Sequence, residues 1–429
     1  MAMDFPPSPS VGDKFPVTPV AGQPQYTWDG EKWTTLGAQI TTAQPATATP
    51  LMDQTAGAVG TAIKWAREDH VHPKIYAAPF DAMAFSGLQI NGSMEVAQEK
   101  SQGTPVSSGY ICDGWSIGAS GTAGNINCYS QRLNAFPGLT SQLTMTCVVA
   151  KPTLAPGDFL AFTQVIEGYR VSRLAWGTAN AQPLTIAFWS KHSRAGTYSV
   201  VLSNEDATRN YATTYTQNVA DANEYKVITI PGCIDGVWKT DNTKGIYLNF
   251  TFACGTTNTA AVANVWGTAF CLAAPGQVNL LTTTADVGRL SGVVVLPGIE
   301  APSAARSALV MRPYEQELQT CQRYFNTSYP PGTLPGAASI SSYIVMLATS
   351  STSLAASIPF PVSMCRPPTI SMWSYNGTPN RWSDMSGINA GSAGTTNIGA
   401  ALWGLINGAG VGLTMGTVYL CHYAADARL

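Results

Sequence analysis

From Ile246 to Phe252 the chain alternates strictly, with Ile246, Leu248, Phe250 and Phe252 interleaved with Tyr247, Asn249 and Thr251. A period of two belongs to an extended strand that buries one face and leaves the other open, so Tyr247, Asn249 and Thr251 are expected to face outward. Leu184–Trp189 repeats the pattern, with Leu184, Ile186 and Phe188 on one face and Trp189 on the other. Further strand-like runs fall at 143–150, 158–166, 197–203, 209–217, 224–230 and 292–297, separated by Gly, Pro and Asn turns. Many short strands without interleaved amphipathic helices exclude a parallel α/β fold. They predict an all-β chain built on a two-sheet sandwich.

Composition narrows the function. Charged residues make up 11% of the 429, against about 25% in ordinary soluble domains. With Lys+Arg 23 and Asp+Glu 25 there is no basic excess to neutralise phosphates, which argues against a nucleic-acid partner. No apolar run is long enough to span a membrane, and Met1–Ser10 lacks the basic and apolar regions of a signal peptide. The nine cysteines include no Cys-X-X-Cys pair and sit mostly in apolar runs, so free buried thiols are expected. The surface reads as built for the outside and the synthesis as cytosolic, a combination that suits a particle protein released by lysis.

Five segments follow. Residues 1–35 form an N-terminal module, in which Trp28-Asp29-Gly30-Glu31-Lys32-Trp33 predicts a hairpin with Trp28 opposite Trp33, the alternative being an aromatic sugar-binding patch. Residues 36–84 are a linker and neck. Residues 85–310 are the sandwich, 311–329 a short helical connector with Leu318, Cys321 and Phe325 at helical spacing, and 330–429 a second β unit.

Few constellations offer chemistry. Cys421 and His422 are adjacent, so on a strand they point to opposite faces and make no dyad. Glu167, Glu205, Asp206, Asp221, Glu224, Asp235 and Asp384 supply carboxylates, yet no spacing singles out the pair that glycoside hydrolysis needs. Trp373, Tyr375, Trp382 and Asp384 flank an Asn-Gly turn. With Trp189 they are the candidate sugar-binding residues, since aromatic faces beside polar groups suit pyranose rings. The competing reading makes Trp373 and Trp382 a structural cross-strand pair. On an extended strand His70 and His72 would point to one side, while the competing reading makes them two surface histidines in a turn stopped by Pro73. Around a threefold axis three such pairs would complete an octahedral set for iron, nickel or zinc, the one cofactor the sequence raises.

Several motifs resemble tailed-bacteriophage fibre and spike proteins. Val11-Gly12-Asp13 with Tyr26–Trp33 resembles their collar modules, and Ala66-Arg67-Glu68-Asp69-His70-Val71-His72-Pro73 resembles a recurrent fibre module. Ile90–Gln98, Gly109–Trp115, Gln164–Gly168 and Arg312-Pro313-Tyr314 through Cys321-Gln322-Arg323-Tyr324-Phe325 resemble a fibre jelly-roll domain. The final Ala424–Leu429 resembles common fibre endings, although Arg428 stands where an acidic residue is more familiar.

The resemblance implies a homotrimeric virion fibre, attached through its N-terminus to a tail, baseplate or head protein. It implies a jelly roll like that of carbohydrate-binding modules, contact with a host polysaccharide or lipopolysaccharide, no catalysis, and a metal held by His70 and His72 on the trimer axis. A polysaccharide depolymerase and a purely structural fibre are the alternatives.

Overall fold

A computed structural model describes residues 4–21, 23–35, 85–351, 356–390, 393–396, 398–407 and 412–429. It divides into two compact units, Met1–Tyr76 and Ala77–Leu429. His70 and His72 lie outside the described residues.

In the first unit, β1 (Lys14–Phe15), β2 (Tyr26–Trp28) and β3 (Trp33–Thr35) form an antiparallel sheet. The expected hairpin is present: Trp28 pairs with Trp33, their rings 5.6 Å apart. Its turn is fixed by Asp29 Oδ1, which accepts the amides of Glu31 and Lys32 at 2.9 and 2.8 Å, and by Gly30 at φ +108°. The sequence did not announce β1 or the apron formed by Phe5, which stacks on Trp33 at 5.2 Å and meets Phe15 and Tyr26. Those rings give a three-stranded sheet, too small to persist bare, an apolar face to close on.

The sandwich in the second unit runs in chain order β4 (Gly109–Cys112), β5 (Trp115–Ser120), β6 (Ile126–Phe136), β7 (Leu139–Cys147), β8 (Phe159–Glu167) and β9 (Leu184–His192). It continues with β10 (Gly196–Ser203), β11 (Asn210–Gln217), β12 (Glu224–Ile230), β13 (Lys244–Cys254), β14 (Trp266–Gly267) and β15 (Val287–Pro297). One sheet has seven strands, ordered β14-β11-β10-β13-β8-β5-β4; the other has five, ordered β12-β9-β15-β7-β6. The chain crosses repeatedly between them, as a jelly roll requires. Leu160, Phe162, Leu248, Phe250 and Phe252 of the larger sheet meet Leu143, Ile186, Phe188 and Leu290 of the smaller in one core. All nine cysteines are free, and eight are buried.

α1 (Tyr314–Gln322) then leads to β16 (Phe325–Thr327). Here the expected helix ends early. Phe325 is a strand residue, paired with Asp426 of the C-terminal strand. The remaining elements are β17 (Ile344–Leu347), β18 (Ala356–Pro359), β19 (Thr369–Ser374), β20 (Trp382–Asp384) and β21 (Asn389–Ala390), then β22 (Ala393–Thr396), β23 (Leu402–Asn407) and β24 (Val418–Asp426). β24 is the spine, pairing with β16, β17, β19 and β20. A second core of Met346, Met372, Trp382, Tyr419, Cys421 and Tyr423 lies against it.

The fibre-like motifs turn out to build the junction between the two cores. Asn91, at φ +51°, donates through Nδ2 to Val96 O and Asp113 O and accepts the Val96 amide through Oδ1. Arg312 pairs with buried Glu317 at 3.1 Å, and Gln98 Nε2 bridges Asp113 and Phe325 O at 2.7 and 2.8 Å. Glu167, 1% exposed, accepts two hydrogen bonds from Arg323, at 2.9 and 2.6 Å, and one from Tyr324 OH at 2.6 Å. Gln98 and Glu167 are satisfied by partners 227 and 156 positions along the chain, so the junction has one geometry rather than a sliding contact.

Candidate functional site

Alternation alone cannot say which outer face of the sandwich is open. Against the outer face of the smaller sheet, Ala304–Val310 folds back as a 3-10 turn and covers the part around Trp189, Val294 and Leu296. Trp189 is therefore only 7% exposed, packed on Phe136, Leu139 and Tyr225, with its Nε1 donating to Ser307 Oγ at 2.9 Å. Trp189 sits on the outward side of β9 as the alternation predicts, but it offers no face to a sugar, because the cover comes from outside the strand.

The larger sheet keeps part of its outer face. One end is covered, where Val201 and Ala212 are buried under Cys271 and Ala274, and Thr251 is fully buried with its hydroxyl donated to Leu272 O. What remains is a cleft of about 330 Å³ across β8, β10 and β13. Tyr247 and Asn249 line it beside Thr163 and Phe159, and Phe270, 49% exposed, stands on the rim.

Its groups are held in place. Thr163 Oγ1 donates to Asn249 Oδ1 at 2.7 Å, so among the described residues the Asn249 amide keeps its NH2 donors free. Lys244 Nζ donates to Tyr247 OH at 2.8 Å and lies 5.4 Å from the ring centroid, fixing that side chain at the cleft edge. Glu205 is the one carboxylate in the lining, and Lys239 faces it at 3.6 Å. A shallow surface with three rings, uncommitted amide donors and a neutralised charge can bind a flat hydroxyl-rich ring by stacking and hydrogen bonding.

The residues predicted around the Asn-Gly turn fare unequally. Trp382 is fully buried in the second core, so it has no face for a ligand. It also does not pair with Trp373: Trp382 lies opposite Ala390, and Trp373 opposite His422 and Pro379. Asp384 organises its own turn, its Oδ1 accepting the amides of Ser386 and Ile388 at 2.9 Å each. Tyr375 is half-buried, and a Cβ on Gly387 would stand 3.0 Å from its hydroxyl. Trp373 is half-buried and lines a depression on the C-terminal sheet.

Other groups are structural. Cys421 points into the core and His422 away from it, as adjacency on a strand demands. Burial pushes the Cys421 thiol up to about 12. Burial also drives His192 down to about 3 in a cage of Tyr198, Tyr215 and Phe252. Glu167, Asp221, Glu224 and Asp235 face Arg323, Arg289, Lys226 and Arg209. Among the described residues no group of His, Cys, Asp and Glu is placed to hold a metal ion.

Sequence reasoning placed Tyr247 and Asn249 on an outward face without naming them as a site. It missed Thr163, Phe159 and Phe270, whose only sequence signal is position on a strand or loop.

No family model matches the chain, and no curated protein matches its sequence. Among solved structures, the chain is similar to the enzymatically active domain of tailspike protein 4 of bacteriophage CBA120. That match has 10% identity and a TM-score of 0.24, and covers 43% of this chain and 19% of that one. A structure described as CBM4 matches at 17% identity and a TM-score of 0.27, covering 48% of this chain and 97% of that one. TmCBM61 in complex with β-1,4-galactotriose matches at 11% identity and a TM-score of 0.24, covering 44% and 91%.

Proposed function

We propose that this chain is a non-catalytic glycan-binding fibre or spike protein through which a tailed phage or phage-like particle attaches to a host-surface polysaccharide or lipopolysaccharide. The observation that carries glycan binding is the open cleft of the larger sheet, where Tyr247, Phe159 and Phe270 surround the Thr163–Asn249 pair. A single lining carboxylate, already faced by Lys239, supports binding without hydrolysis, since hydrolysis takes two across a cleft.

Attachment to a particle rests on the fibre-like motifs of the sequence. So does the homotrimer, in which His70 and His72 from each chain hold a transition metal. Three weak sites on one stalk would gain avidity without new contacts.

A glycan array, repeated with Tyr247→Ala and Asn249→Ala, tests the binding. Retention of a glycan by the unmodified protein and its loss in both variants is expected. Release of reducing ends from the retained glycan would replace this reading with a depolymerase, and no retention at all would leave a structural fibre. Light scattering with metal analysis on the same sample tests the rest: a trimer carrying about one metal ion is expected, and a metal-free monomer overturns both the trimer and the histidine site.

A further inference from the structure

The open face does not end at the sandwich. Thr163 and Tyr247 line both the cleft and an adjoining recess of about 150 Å³, which reaches Tyr110, Ser116 and Arg428. Arg428 in turn borders a depression of about 570 Å³ on the C-terminal sheet. All three belong to the compact unit Ala77–Leu429. Thr163 and Tyr247 thus join the cleft to the recess, and Arg428 stands at the boundary between the recess and the depression.

The far stretch has the features of a built platform. On β19, Thr369 and Ser371 are exposed and Trp373 is half-buried, two residues apart along one face. Trp373 is propped from behind. Tyr329 meets it edge-on at 6.1 Å and stacks on His422 at 4.0 Å, and His422 is held on both ring nitrogens by Ser328 and by the Ser339 carbonyl. Gly336, at φ +93°, lets the backbone pass beside the indole, where a Cβ would stand 3.0 Å from its Nε1.

The charges in this stretch cancel. Arg428 lies between Asp426 and Glu99, at 2.6 Å from each, and is clamped by the faces of Tyr110 and Phe325 at 4.0 and 4.5 Å. Exposed Arg366 is the second cation, bonded to the Arg428 carbonyl. Two cations and two carboxylates leave no net field to select a charged ligand.

We infer that the C-terminal sheet extends the binding site, so that the chain holds several consecutive residues of a neutral polysaccharide, with Tyr247 at one end of the path and Trp373 as the stacking platform at the other. This rests on the glycan-binding reading above and deepens it: the ligand is an extended neutral chain rather than a terminal sugar.

The test is titration calorimetry with neutral glucose and mannose oligosaccharides of two, four, six and eight units. Unmodified protein, Tyr247→Ala, Trp373→Ala and Ser371→Tyr are compared. Ser371 is exposed, so its tyrosine variant obstructs the path without touching either core. For the unmodified protein, affinity should rise with length. Trp373→Ala and Ser371→Tyr should each weaken the six- and eight-unit chains about tenfold while leaving the shortest binders unchanged. Tyr247→Ala should weaken all lengths. Long chains bound normally by both C-terminal variants but weakly by Tyr247→Ala would overturn the extension and leave the cleft standing. Absence of binding to every oligosaccharide, or indifference to Tyr247→Ala, would overturn the cleft and the extension together.

Discussion

The clasp between Arg323 and Glu167 should set how firmly the C-terminal sheet sits on the sandwich, and its strength follows from its burial. The Glu167 side chain is 2% exposed, the Arg323 side chain 28%. Replacing Arg323 with Met strands a carboxylate whose remaining partner is the Tyr324 hydroxyl at 2.6 Å. Breaking a fully buried pair costs about 3–5 kcal/mol. Water reaches the arginine side, so screening brings the expected loss to about 2–4 kcal/mol.

Glu167→Leu strands the guanidinium instead, which water rescues in part, and should cost about 1–3 kcal/mol. With both changes neither charge is left uncompensated, and the double variant should lose less than the sum of the singles by at least about 1.5 kcal/mol. Guanidinium chloride unfolding, followed by tryptophan fluorescence, measures the cycle. Single losses that add to within about 0.5 kcal/mol would refute the reasoning, because uncoupled residues cannot form the clasp. Loss of the clasp should also weaken long-chain glycan binding, since Tyr324 and Arg428 share the recess through which the two sheets communicate.

Burial pushes the Asp113 carboxyl up to about 6 against the opposing hydrogen bonds from Gln98. The folded state therefore holds a proton that the unfolded chain releases near 4. Stability falls as pH rises from about 4 to 6, by roughly 2–3 kcal/mol from this group, and Asp113→Asn should remove that slope in unfolding titrations across the window. Trp189→Ala should cost about 3–5 kcal/mol by opening a cavity under the 3-10 turn, and Trp189→Phe about 1 kcal/mol for the lost Ser307 bond, with glycan binding unchanged in both. A binding loss in Trp189→Phe would show the residue to be reachable by ligand after all. Because burial raises the thiols and only Cys254 is even partly accessible, a disulfide-exchange reagent should label at most one cysteine per native chain and nine after denaturation.

How much of this was legible is clearest on β13. Its alternation alone gave the strand, the buried set Ile246, Leu248, Phe250 and Phe252, and the outward set Tyr247, Asn249 and Thr251. The same period is silent about what lies over the outward set. Thr251 is buried under Leu272, whereas Tyr247, four residues earlier, lines the cleft. Trp382 shows the opposite failure. Aromatic character beside an Asn-Gly turn suggested a surface platform, but the short strand β20 pairs with the spine β24 and turns the indole into the second core.

Local chemistry, then, was decided by the sequence: the strand period, the Asp29-Gly30 turn, the scarcity of charge and the unpaired cysteines each follow from neighbouring residues and elementary sterics. Tertiary structure decided which faces stay open and which charges meet. Segments without any period, Ala304–Val310 over Trp189 and the Cys271–Ala274 stretch over Val201, choose the exposed surface. Glu167 finds Arg323 across 156 positions of chain. Periodicity reports only what a residue's own element does, while exposure and ion pairing depend on elements brought together by the burial of two separate cores.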